Sequence, residues 1–269
     1  MEVCGWREPR IVVATDASEA SEKAVDLSVK LTEVLDGELH AISVVSGHLK
    51  RQDVENAVEL VRKKLDGARV RIVEGNPAKE IVTYASEIGA DLIVTGSHNH
   101  RGFGWVLIGS VSEKVVRHAE TSVLVARSAE IPERVLIATD GSEYSKAALE
   151  CIRYVREVIP LRVTVLHVMD TSDPVSSQLF FEELQRRRDE AFQAAKSVFG
   201  DMVEYVSLKG HPASVISEVS ADYDLIVLGS HGRGGIDHLL LGSVAERAVR
   251  FSKSSALVVR GKKLNTSRS

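Results

Sequence analysis

The chain predicts two tandem doubly wound α/β domains, each a five-stranded parallel sheet with helices on both faces. Three observations carry that expectation. The sequence repeats itself from end to end, short continuously apolar runs alternate with longer amphipathic ones, and 269 residues fit about two domains of 150 residues. Ile11-Val12-Val13-Ala14-Thr15-Asp16-Ala17-Ser18-Glu19 returns as Val135-Leu136-Ile137-Ala138-Thr139-Asp140-Gly141-Ser142-Glu143, an offset of 124. Asp91-Leu92-Ile93-Val94-Thr95-Gly96-Ser97-His98 returns as Asp224-Leu225-Ile226-Val227-Leu228-Gly229-Ser230-His231, now offset by 133. The second copy therefore holds a net insertion of nine residues, expected between Met169 and Gly210 and around 170–184. The copies are assigned to residues 1–129 and 130–269, joined at 128–133.

Strands are read at 10–15, 38–45, 69–74, 91–96 and 122–126, then at 134–139, 161–169, 202–208, 224–229 and 255–259. Runs such as Ile11-Val12-Val13 and Leu225-Ile226-Val227-Leu228 do not alternate with polar residues, as strands covered on both faces require. Helices fill the gaps. Asp16-x-x-Glu19 and Ser142 signal two of their starts, and Pro77 and Pro212 suit first turns, where the missing N–H does no harm.

Composition narrows the function classes. Hydrophobic residues at 44% and charged residues at 27% argue against a disordered, collagen-like or disulfide-scaffold chain. With 34 Lys+Arg against 38 Asp+Glu, the net charge is −4, without the basic excess that accompanies phosphate-backbone binding, so no nucleic-acid partner is expected. Cys4 and Cys151 lie far apart with no CxxC around either, so neither a disulfide framework nor a zinc site is indicated. The first ten residues lack an apolar leader segment, and no apolar run nears the roughly 18 residues that span a bilayer. A soluble cytoplasmic chain without membrane contact is the expectation.

The informative motif is Gly229-Ser230-His231-Gly232-Arg233-Gly234-Gly235-Ile236-Asp237-His238-Leu239-Leu240-Leu241-Gly242-Ser243. It begins where a strand ends. Glycines allow positive φ and close backbone approach, so such a loop can turn its N–H groups onto an anion, and the helix opened by Gly242 and Ser243 offers further free N–H groups and a favourable dipole. The first strand of the copy ends beside it at Ala138-Thr139-Asp140, where ligands sit in open α/β sheets. A glycine loop after a strand also serves as a mere tight turn. The spacing G-x2-G-x9-G-S matches neither the Walker A pattern nor the dinucleotide fingerprint.

That spacing, with Thr-Asp-x-Ser after the first strand of each copy, resembles the nucleotide-binding branch of the universal stress protein family. The resemblance runs over 10–127 and 134–260. It implies a stress-response regulator that binds ATP or AMP, with adenine against the main chain of Ala138, Thr139 and Val168, ribose and metal near Asp140, and phosphates on the loop. The implied second-copy set is Ala138, Thr139, Asp140, Val168, Leu228, Gly229, Gly232, Gly242 and Ser243. Mg²⁺ or Mn²⁺ is expected at Asp140 with ATP, since hard cations prefer carboxylate and phosphate oxygens. The first-copy counterparts are Ala14, Thr15, Asp16, Val44, Gly96, Gly109 and Ser110, but Asn99 stands where the pattern calls for glycine, and Phe103 and Trp105 replace Ile236 and His238. Whether that copy binds ligand stays open. In the family the last strand is an edge that pairs two domains, which implies an intrachain pseudo-dimer here through 122–125 and 255–259, with a homodimer and an unidentified protein partner left open.

Other chemistry is weighed the same way. His98 and His231 read as residues that hydrogen-bond the glycine loop rather than as catalysts or ligands, because no carboxylate or cysteine lies at ligand spacing. His211 reads as a surface or loop-capping residue, Arg186-Arg187-Arg188 as a solvated helix face, and Phe180-Phe181 as a helix anchor, a pocket cover or a subunit contact. No dedicated general base stands beside the phosphates, which disfavours an efficient hydrolase. A slow metal-dependent nucleotide hydrolase and a nucleotide-free dimerising scaffold remain the alternatives to a nucleotide-dependent switch.

Overall fold

A computed structural model describes residues 6, 8–47, 51–97, 108–172, 178–233 and 241–261. The first half runs β1 (Arg10–Ala14), α1 (Glu19–Val34), β2 (Glu38–Val45), α2 (Arg51–Lys64), β3 (Arg69–Glu74), α3 (Pro77–Glu87), β4 (Leu92–Gly96), α4 (Ser110–His118) and β5 (Ser122–Ala126). The second runs β6 (Arg134–Ala138), α5 (Glu143–Val155), β7 (Arg162–Asp170), α6 (Gln178–Phe199), β8 (Glu204–Gly210), α7 (Pro212–Val219), a 3₁₀ turn (Ser220–Asp222), β9 (Leu225–Gly229), α8 (Ser243–Phe251) and β10 (Ser255–Val259). The strands read from sequence recur within a residue or two. β8 starts two residues later than 202, because Gly200, at φ +60°, ends α6 and the chain turns before entering the sheet.

The ten strands form one sheet in the order β3-β2-β1-β4-β5-β10-β9-β6-β7-β8. Every neighbour pair is parallel except β5 with β10, whose antiparallel register sets Leu124 opposite Leu257. Successive residues alternate between the two faces. Ile11 and Val13 face α1, α2, α5 and α6, whereas Val12 faces α3, α4, α7 and α8. Both cores run through the junction, since Leu124 and Leu257 belong to one and Val123 and Val258 to the other.

Polar contacts repeat across the junction with near-twofold symmetry. Arg127 N–H donates to Ser255 Oγ and Arg260 N–H to Ser122 Oγ, each at 3.1 Å. The Arg127 guanidinium donates to the carbonyls of Ser254 and Val249 at 2.9 Å, and that of Arg260 to Val116 O at 2.8 Å. Burial pushes both arginines down to about 10. Glu246 pairs with Arg117, and Glu113 with Arg250 at 3.9 Å, linking α4 to α8.

The helix starts follow from local sequence: Ser18 and Ser142 cap α1 and α5, as helix-cap residues after the aspartates should, Ser18 accepting the Ser21 N–H at 3.2 Å while Asp16 accepts the Ser18 N–H in the preceding turn. His211 occupies the N-cap position of α7 without capping it, whereas its counterpart Asn76 accepts the Lys79 N–H at 3.2 Å. The Arg186-Arg187-Arg188 run lies on exposed α6 and pairs with Glu183, Glu190 and Asp189, as a solvated face should. No described helix is long and apolar enough to cross a membrane.

Candidate functional site

β6 and β7 part company at the site, and the sequence dictates how. Thr139 N–H donates to Leu166 O at 2.9 Å, so alternation turns the N–H and C=O of Val168 to the same side, beyond Ala138 where β6 stops. The next rung is replaced by a side chain, as His167 Nδ1–H donates to Thr139 O at 2.9 Å. That bond fixes the tautomer, and burial holds the imidazole below its usual pKa, hence neutral. Thr139 Oγ1 donates to Ser145 Oγ at 3.1 Å and accepts the Gly141 N–H at 3.2 Å, locking the turn into α5. Gly141 sits at φ +77°, a conformation that favours glycine, with the Arg233 guanidinium 2.7 Å from where a Cβ would stand.

The glycine loop rises from β9. A Cβ on Gly229 would lie 2.5 Å from the Tyr144 backbone carbon of α5, and one on Gly96 would lie 2.3 Å from Ala20 O of α1. These two glycines serve helix-on-strand packing. Gly232 would push a Cβ to 2.8 Å from Asp140 Oδ2, and Gly242 one to 3.2 Å from the His231 Cα. Of the two reasons for glycine that the sequence offers, positive φ does not apply, since none of Gly229, Gly232 and Gly242 has it. Close approach, not left-handed backbone, is why each is glycine. Gly234, Gly235, Ile236 and His238 lie outside the described residues, as do His98, Asn99, Phe103 and Trp105.

Asp140 joins the strand end to the loop. Its Oδ1 accepts the Ser142 N–H at 3.0 Å and its Oδ2 the Arg233 N–H at 2.8 Å. The Arg233 side chain reaches α6, meeting Glu190 at 2.9 Å, which holds the Glu190 carboxyl below its usual pKa. Gly242 N–H anchors the far end of the loop on Ser230 O at 2.8 Å, and no side chain caps α8. Its first intrahelical bond runs from Glu246 N–H to Gly242 O, which leaves the N–H groups of Ser243, Val244 and Ala245 to point out of the helix end. His231 packs its ring on Tyr144 at 4.9 Å and brings Nδ1 to 3.1 Å from Ser230 Oγ, which fits a loop-supporting role.

These elements enclose a cavity of about 430 Å³, within the size range of small-molecule sites. All nine second-copy residues singled out from sequence line it: Ala138, Thr139, Asp140, Val168, Leu228, Gly229, Gly232, Gly242 and Ser243. One end is apolar, with Leu166, Pro212, Ile216 and Leu228. The other carries the loop and the α8 N-terminus. Sequence reasoning missed Leu184 and Arg187 of α6 and Asp170 at the end of β7. The signal was there in the insertion, since α6 has 22 residues where α2 has 14.

In the first half, Ala14 ends β1 with Thr15 and Asp16 just after it, Val44 lies in β2, Gly96 ends β4, and Gly109 and Ser110 open α4. The rung after Thr15 is again taken by a side chain, Ser43 Oγ donating to Thr15 O at 2.6 Å. Ser112 donates to Gly96 O at 2.7 Å where the second half has Ala245. Ala17 adopts φ +60°, the conformation for which the second half uses Gly141.

The family model for universal stress proteins matches residues 9–127 and again 132–260. The chain belongs to the universal stress protein family, as a tandem pair of its domains. It is 29% identical over 227 residues to a universal stress protein of Mycobacterium tuberculosis, covering 78% of this chain and 76% of that one. It is 32% identical over 138 residues to one of Methanocaldococcus jannaschii, covering 44% and 81%. The crystal structure of a universal stress protein from Archaeoglobus fulgidus shares the fold at TM-score 0.67 and 22% identity, covering 95% of this chain and all of that one.

Proposed function

We propose that the domain spanning 130–269 binds an adenine nucleotide, ATP or AMP, in the cavity between β6, β7, β9 and α8, and that occupancy regulates the protein's association with a partner. The observation that carries this reading is the convergence of Ala138, Thr139, Asp140, Val168, Leu228, Gly229, Gly232, Gly242 and Ser243, drawn from four separated stretches of chain, on one cavity with an apolar end and an anion-binding end. The apolar end suits a base, with the Val168 N–H and C=O available to a donor–acceptor edge. The free N–H groups of the α8 first turn suit a phosphate.

A cation fits here only as a companion of the phosphates. Among the described residues no three His, Cys, Asp or Glu side chains gather at one point. Asp140 already accepts two N–H groups yet retains lone pairs. Asp140 would therefore give one ligand to Mg²⁺ or Mn²⁺, with phosphate and water oxygens completing the shell.

The domain at 1–129 binds more weakly or not at all in this reading, because Asn99 stands where the pattern calls for glycine and its side chain would take space that a phosphate needs. The cavity is built to hold a phosphate rather than to attack one: His167 is spent on Thr139 O, and His231 stacks on Tyr144. Turnover far below the ~1–100 s⁻¹ of kinases follows. A homodimer and a cytoplasmic location belong to the same proposal. Mass spectrometry of the protein after purification tests the ligand class: an adenine nucleotide at one per chain is the expected result, and multiple-turnover hydrolysis abolished by His231→Ala with binding intact would replace the switch with an enzyme.

A further inference from the structure

The cavity wall facing the glycine loop is α6. Leu184, Arg187 and Glu190 follow one another at intervals of three and so share one side of the helix. That side is fixed at two points, by buried Leu184 in the cavity wall and by Glu190, which holds the Arg233 guanidinium of the loop. Arg187 therefore stands beside the loop, one turn closer to the N-terminal end of α6 than the Glu190 bridge. Its Nε donates to Glu183 Oε1 at 2.6 Å, which orients the side chain, and its terminal Nη groups make no hydrogen bond among the described residues. Arg233, the other arginine of the cavity, is already bridged to Glu190.

The apolar end closes the cavity behind the base, so a chain of phosphates grows away from it. On the nucleotide reading the first phosphate would meet the α8 N-terminus, and Arg187 of α6 lines the same cavity within reach of any further ones. A planar guanidinium tethered at Nε and open at both Nη groups suits a phosphate oxygen pair. We infer that Arg187, on the helix lengthened by the insertion, is the specificity-determining residue that makes this site prefer a nucleoside polyphosphate to a monophosphate. The inference rests on the nucleotide reading of the cavity.

Calorimetric titration of the full chain with AMP, ADP and ATP in excess Mg²⁺ tests it. The wild type should bind ATP about tenfold more tightly than AMP, the scale of one partly exposed charge-assisted contact. Arg187→Gln should bring the two within about twofold by weakening ATP alone, and Arg187→Lys should restore part of the difference. Arg186→Gln, which also removes a Glu183 partner but does not line the cavity, should behave as the wild type. Equal weakening of AMP and ATP in Arg187→Gln, or an unchanged ratio, overturns the role of Arg187 while leaving nucleotide binding intact. A wild type that binds none of the three overturns the nucleotide reading and this inference together.

Discussion

β4 and β9 end on equivalent glycines, each pressed against the helix of its own half so closely that a Cβ would stand 2.3 Å from Ala20 O or 2.5 Å from the Tyr144 carbonyl carbon. Three residues further on the halves diverge. The second half has Gly232 beneath the Asp140 carboxylate, and the first has Asn99. The contrast separates two uses of glycine that look alike in a motif. Gly96 and Gly229 serve helix-on-strand packing in both halves, while Gly232 leaves room for the Asp140 carboxylate; its first-half counterpart, Asn99, lies outside the described residues. The second half also has Leu184 and Arg187 of α6 in the cavity wall.

The largest effect should come from Gly232→Val. Its Cβ would fall 2.8 Å from Asp140 Oδ2, and nucleotide affinity measured by calorimetry should drop by at least about a hundredfold, with little change in melting temperature. The reciprocal Asn99→Gly sharpens the contrast if it adds a second, weaker site to the titration. Gly96→Ala and Gly229→Ala should instead destabilise both halves alike, by about 2–3 kcal/mol in urea unfolding. A large loss for one with none for the other would break the equivalence of the two strand ends.

Removing Arg127 or Arg260 strips buried carbonyls of their donors across the junction. Either alanine variant should lower stability by about 2 kcal/mol and split a single unfolding transition into two, visible by calorimetric scanning. Similar losses are expected because the contacts are reciprocal.

The smallest effect concerns pH. Burial depresses His167 below its usual value near 6.5, so folding favours the neutral ring. Its contribution is fully present above that value and is lost as pH falls through it towards the folded pKa. His40 in the first half is depressed for the same reason. Urea midpoints between about pH 7.5 and 5.5 should fall with acidification, less steeply in His167→Gln, and an unchanged slope in that variant would remove His167 as a contributor.

Most of the architecture was legible because the repeat and the apolar runs are properties of local sequence. Ile11-Val12-Val13 must be a doubly covered strand whatever surrounds it. The nine cavity residues were legible through the resemblance to the universal stress protein family, which the glycine spacing and the Thr-Asp-x-Ser motif carry. The rest depended on three-dimensional approach. Nothing in the spacing says that Gly232 is glycine on account of Asp140, since the two lie 92 residues apart. Arg187 read as part of a solvated helix face, and most of that run is one; only the i, i+3 relation to Glu190 and its bridge to Arg233 turns this arginine towards the cavity. Arg127 and Arg260 carried no signal beyond their position after a last strand, because their carbonyl partners belong to the other half.

The central claim, one nucleotide site per chain in the second half, is most directly tested by the stoichiometry of ATP binding in paired variants. Calorimetry should give one site in the wild type, none in Gly232→Val, and one undiminished site when Gly109→Val blocks the opening of α4 in the first half. A site that survives Gly232→Val and disappears with Gly109→Val would contradict the account and move the nucleotide to the other half.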